Sequence, residues 1–332
     1  MKHFTLRTFL LLTLVIVCCG LDSVAIAAQT TSLLISDELT NSVLQYDGGT
    51  GAFIGTFVGS GSGGLAQPLF LTFGPDENLY VISYANSEVL RYNGTTGAFI
   101  DAFVGSGSGG LSRPHGLTFG PDGNLYVGSE ANNEVIRYNG TTGAFMDTFV
   151  SSGSGGLWDP VGMRFGRDGN LYVGSQYSSE VLRYNGKTGA FMDAFVNSGS
   201  GGLLAPVDLL FGPDSNLYVT DNLYSEVLRY DGTTGAFIDI FVGSGSGGLD
   251  GAAGFAFGPD GNLYVVSNHN SEVLRYDGTT GAFIDTFVGS GSGGLNDPIS
   301  LTFVPVPEPG TLAMLGSAVL GLAGILRSRI NL

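Results

Sequence analysis

The sequence predicts an all-β fold, a six-bladed β-propeller with four antiparallel strands in each blade. Three observations carry this. Tyr46, Tyr92, Tyr138, Tyr184, Tyr230 and Tyr276 recur every 46 residues without an insertion or deletion, the period of a propeller blade. Each period holds four strand-length apolar runs divided by Gly, Pro, Asn and Asp. The first copy lacks an opening strand, and the end of the repeats supplies one.

The strands, named a to d within a blade, follow from turn chemistry. In the third copy Leu117 to Phe119 and Leu125 to Val127 flank Gly120-Pro121-Asp122-Gly123-Asn124. Proline presets φ and Asp-Gly accepts the turn, so these are strands a and b of a hairpin. Val135 to Tyr138 and Phe145 to Val150 flank Asn139-Gly140-Thr141-Thr142-Gly143, whose Asn-Gly pair makes strands c and d a second hairpin. The Ser/Gly segment Ser151 to Gly156 then crosses to the next blade. The first copy starts at its b strand, Ser32 to Ser36, while Pro298 to Phe303 is an unpartnered a strand. The C-terminal strand is therefore expected innermost in the first blade, closing the ring and removing its edges.

Composition agrees with an ordered β protein. The chain has 332 residues with 55 glycines, and these fall at fixed places in the period, unlike the aperiodic glycine of a disordered chain. Residues 29–303 carry 9 basic against 27 acidic side chains, a charge that repels phosphate backbones and excludes nucleic acid as a partner. Residues 1–28 read as a secretory signal peptide: Lys2 and Arg7, the apolar run Phe9 to Val17, and small residues ending Ala25-Ile26-Ala27. Both cysteines, Cys18 and Cys19, lie inside it, so the processed chain is expected to carry no thiol chemistry.

The repeat resembles the NHL family of propellers in Pro114-His115-Gly116-Leu117, Asp122-Gly123-Asn124-Leu125-Tyr126-Val127 and Val135-Ile136-Arg137-Tyr138. The likeness covers roughly residues 30 to 303. It implies a propeller that serves as a binding platform, or alternatively a hydrolase or lyase of the lactonase or streptogramin-lyase type.

After Phe303 the period stops. Residues 304–310 form a stiff Pro-rich linker containing Pro307-Glu308-Pro309, and residues 311–332 hold a short apolar helix, Thr311 to Leu326, followed by Arg327 and Arg329. This order resembles the PEP-CTERM sorting signal. The resemblance implies an exosortase-type processing enzyme as partner and transient anchoring in the inner membrane. It further implies a final place at the outer cell surface or in the extracellular matrix. The alternative is a permanent anchor, although sixteen apolar residues fall short of the ~20 of an ordinary span.

Compared with one another, the copies are nearly constant at their a–b and c–d turns and vary in their b–c loops and d–a connections. In a four-stranded blade these variable segments share one face of the disc, the default ligand site where they meet the channel. Candidate ligand-binding residues there are Glu38, Tyr84, Arg113, His115, Glu130, Trp158, Tyr177, Asp208, Asn222, Asn268 and His269. Asp159, Asp250 and Asp297 lie on the same connections. The ring Glu38, Tyr84, Glu130, Gln176, Asn222, Asn268 is polar in every blade and would suit calcium. With only two charged members it makes no dedicated metal site, and no cofactor is expected. His115 and His269 lie three blades apart and would face each other across the channel if they acted as acid and base. Without a catalytic signature the expected function is non-catalytic: binding a polysaccharide or surface protein, or stiffening the extracellular matrix. The repeated Asp of the GPDGN turns (Asp76, Asp122, Asp168, Asp214, Asp260) reads as turn chemistry rather than calcium binding. Glu134 with Arg137, and their copies, read as salt bridges between blades.

Overall fold

The computed structural model describes residues 31–305. The signal segment, the Pro307-Glu308-Pro309 motif and the apolar segment Thr311 to Leu326 lie outside the described residues.

The first blade is built from β1 (Ser32–Asp37), β2 (Ser42–Asp47) and β3 (Phe53–Val58). The second is β4 (Pro68–Phe73), β5 (Leu79–Ser83), β6 (Glu88–Tyr92) and β7 (Phe99–Val104), a plan repeated to β24 (Pro298–Phe303). The strands form six four-stranded antiparallel sheets. In the first the order is β24-β1-β2-β3, so the last strand is innermost beside the first. The register pairs Leu33 with Phe303 and Ile35 with Leu301, and the N–H of Val304 donates to the Ser32 carbonyl at 2.8 Å.

The turns work as their residues dictate. In the a–b turn, the Asp76 carboxylate accepts from the Asn78 N–H at 3.2 Å and from the Tyr80 hydroxyl at 3.0 Å, an Asx turn anchored to the next strand. Arg91 then reaches Asp101, across the c–d hairpin, with two hydrogen bonds of 3.1 and 2.7 Å, and its guanidinium lies 4.9 Å from the Phe103 ring centroid. The arginines therefore do not bridge blades, and their partner is not the strand-c glutamate. Register decides this: Arg137 stands opposite Asp147, whereas Glu134 stands opposite Ser129. The first blade has no a–b turn, and it has lost the dependent residues as a set, with Leu34, Gln45 and Gly55 where the second has Tyr80, Arg91 and Asp101.

Between blades the glue is aromatic. Tyr80 packs edge-on against Phe103 of its own blade and Phe119 of the next, both at 4.9 Å. Tyr264 meets Phe303 of the closing strand at 5.0 Å in the same way. In the second to sixth blades strand b is buried at every position, because both of its faces meet neighbouring blades. The period-marking tyrosines tie down the crossings: Tyr92 donates to the Ser62 carbonyl at 2.8 Å, and Tyr46 to Ser292 at 2.7 Å. Gly97 has a φ of 69°, and a Cβ there would sit 1.8 Å from the Phe57 carbonyl oxygen of the preceding blade, so close blade contact demands glycine.

Tyr46→Phe removes the one hydroxyl that joins the first blade to the last crossing. Stability should fall by about 1 kcal/mol, the cost of leaving a partly buried carbonyl without its donor. Chemical denaturation of the two proteins checks it, and an unchanged midpoint would contradict the role given to this bond.

Candidate functional site

Strand a lines the channel, and in every blade but the fourth, where Val161 is fully buried, its second residue lines the mouth on the face of the variable loops. Blade by blade that residue is Leu69, His115, Val161, Val207, Ala253 and Ile299. Around it the b–c loops place Glu38, Tyr84, Glu130, Gln176, Asn222 and Asn268, so that a cavity of about 290 Å³ has a polar rim and an apolar floor broken by one histidine. Two larger openings lie elsewhere, one of about 400 Å³ at the other end of the channel, lined by Thr72, Thr118, Arg164 and Thr302, and one between blades. The one of about 570 Å³ is lined by Asp122, Arg137, Asp168 and Asn170, turn residues present in nearly every copy. The mouth is where copies differ, and it is the candidate site.

The rim is held by hydrogen bonds between neighbouring blades. Gln67 donates to Glu38 at 2.9 Å, and the Tyr84 hydroxyl donates to Glu130 at 2.8 Å. Asn268 donates to the Pro298 carbonyl at 3.0 Å and to Asp297. Burial, then the charge of Asp297, pushes the Glu38 carboxyl above its ordinary value. Burial pushes Asp297 up in turn, with Asp37 adding to it. Burial and then the bond to Glu130 move the Tyr84 hydroxyl up to about 12. The mouth is thus an acidic, partly desolvated opening that favours cations and neutral hydrogen-bonding ligands.

The remaining candidates sit in different places. Trp158 and Tyr177 lie outside the cavity lining as an edge-to-face pair at 5.5 Å, 55% and 61% exposed. Arg113 lies over the Tyr84 ring at 5.2 Å and 3.6 Å from Glu130. His269 is outside the lining too, 3.0 Å from Asp250, so the two histidines are not brought together across the channel. Asp208 does not line the mouth. It is fully buried, accepts from the Leu209 N–H at 2.9 Å, and lies 3.8 Å from Arg164. Burial raises its carboxyl above the ordinary value while Arg164 opposes the rise.

Sequence reasoning placed Asp159 on this face without its partner. The carboxylate of Asp159 stands 3.8 Å from His115 Nδ1, and together with Glu130 these residues bring three ligating atoms within 4.8 Å of one another. Asp208 was placed on this face as a ligand residue, whereas its pairing with Arg164 was missed. Its signal was available in strand a, where the copies read Thr72, Thr118, Arg164, Leu210, Ala256, Thr302 at one position and Phe70, Gly116, Gly162, Asp208, Gly254, Ser300 at another.

Residues 305–329 match the PEP-CTERM protein-sorting motif. No curated protein matches the sequence. Among solved structures the chain is similar to one from a nidogen/laminin complex, with TM-score 0.64 and 15% identity over 83% of this chain and 98% of that one. It is also similar to a protein of unknown function from Bacteroides caccae, with TM-score 0.62 and 12% identity over 83% and 100%. A streptogramin B lyase structure aligns with TM-score 0.50 and 17% identity over 68% and 69%. Such identities speak to the fold and not to a ligand. The chain is a six-bladed β-propeller carrying a C-terminal PEP-CTERM sorting motif, the mark of an exported protein that passes a membrane and is processed at the cell envelope by an exosortase-type enzyme.

Proposed function

We propose that this is a non-catalytic propeller of the outer cell surface or extracellular matrix that binds a saccharide on its channel-mouth face. The observation that carries the reading is the exposed Trp158–Tyr177 pair beside a rim of amides and carboxylates. Exposed aromatic faces cover the C–H surface of a sugar while neighbouring amides and acids take its hydroxyls.

A glycan array probed with the purified protein tests this. Binding to neutral oligosaccharides is expected, with a change in the fluorescence of Trp158, the one tryptophan of the chain. Trp158→Ala should weaken binding at least about ten-fold, the ~1.4 kcal/mol or more of one aromatic contact. Uniform failure to bind would remove the saccharide reading.

Export with sorting predicts that the protein isolated from its host ends near Pro309 and lacks Leu312 to Leu326. Intact mass is the measurement. A mass that retains this segment favours a permanent anchor.

A further inference from the structure

His115 is an anomaly within its own repeat, since the other five blades place an alkyl side chain at that position. An imidazole set into an apolar ring requires partners for its nitrogens. Among the described residues, the buried side-chain polar atoms without a hydrogen-bond partner are His115 Nδ1 and Asp159 Oδ1. They face each other at 3.8 Å, too far for a hydrogen bond. Asp159 is 3% exposed, its backbone held at a φ of 59° by a 2.8 Å bond from its N–H to Asn133 Oδ1. Glu130 supplies the third atom, all three lying within 4.8 Å of one another. Atoms at about 2.0–2.2 Å from a tetrahedral ion are separated by about 3.3–3.6 Å, so small side-chain shifts close the set.

We propose that His115 Nδ1 and the carboxylates of Asp159 and Glu130 form a binding site for a divalent transition-metal ion of the zinc type. One imidazole with two carboxylates suits zinc, whereas calcium takes six to eight oxygens. Three protein ligands would leave a fourth tetrahedral position for water or a ligand hydroxyl. The acidic surroundings favour a cation: Glu38 lines the same mouth as His115 and Glu130. The competing cation is Arg113, 3.6 Å from Glu130 and 58% exposed in its side chain, which the bound ion would displace toward solvent. The set is complete at one blade junction. The positions equivalent to Asp159 elsewhere are Gln67, Arg113, Ala205, Gly251 and Asp297, and among the described residues none of these joins a histidine and a second carboxylate in such a group.

This site stands independently of the saccharide reading. Zinc binding to the purified, chelator-treated protein is followed by calorimetry, and its stoichiometry by elemental analysis after dialysis. Cobalt(II) substituting for zinc is followed by quenching of Trp158, which is adjacent in sequence to Asp159. Uptake of about one ion per chain is expected. His115→Leu, which installs the residue that Leu69 already provides in the second blade, and Asp159→Asn should each weaken binding at least about ten-fold. His269→Leu should leave it unchanged. Uptake that survives His115→Leu overturns the proposal. So does failure to take up zinc, which would leave His115 and Asp159 a simple ion pair.

Discussion

Ending the chain after Gly294 should cost about 5 kcal/mol relative to ending it after Val304, enough to consume most of a typical domain's stability. The shorter chain loses β24. It gives up the buried Leu301 and the partly buried Ile299 and Phe303, uncovers Leu33, Leu34 and Ile35 of β1, and leaves the inner edge of one blade unpaired. It also removes the Phe303 ring from Tyr264, opening the junction of first and last blades. The longer chain keeps all of these and the Val304–Ser32 bond. Thermal melts of the two forms are the measurement, and coincident melts would contradict closure by the C-terminal strand.

Arg164→Leu should destabilise the protein by about 2 kcal/mol near pH 7.5. The replacement copies Leu210 of the next blade, so packing is conserved and the change is one of charge. Losing one partner of a fully buried pair costs about 3–5 kcal/mol. Arg164 is one-third exposed and 3.8 Å from Asp208, which lowers the figure through solvent screening. The sign with pH follows from Asp208, whose folded-state pKa lies above the ordinary 3.8 because burial penalises the carboxylate. The charged carboxylate therefore weakens the fold at pH above its folded value, and the penalty disappears as pH falls through that value and the group takes up a proton. Removing Arg164 raises the folded value further, so the deficit of the variant should be largest near neutrality and should shrink on acidification. Urea titrations of both proteins at several pH values check it, and a deficit independent of pH would contradict the buried-charge account.

The strands and turns were legible because they are decided by neighbours in sequence. Asp76 needs only Asn78 and Tyr80, so GPDGN announces its turn in every copy. The b–c rim was legible for a related reason, since comparing six copies isolates the loops that differ. The pairings around the channel were not. His115 and Asp159 are 44 residues apart, as are Arg164 and Asp208, while Tyr84 and Glu130 are 46 apart. Each joins one blade to the next, at separations where the repeat allows several partners. The strand-c arginine misled in the opposite direction. Its neighbour Glu134 looked like its mate, yet the hairpin register delivers Asp147.

By itself the sequence determined the fold class, the number of blades, the strand that closes the ring and the motif at the C-terminus, because periodicity and turn chemistry act over a few residues and repeat. Only the tertiary structure decided which side chains share the mouth, which are buried in the channel wall, and that a histidine meets two carboxylates there. Those outcomes depend on how successive sheets pack around a common axis. The geometry of that packing, and not the pattern within any one blade, sets which atoms come within bonding distance.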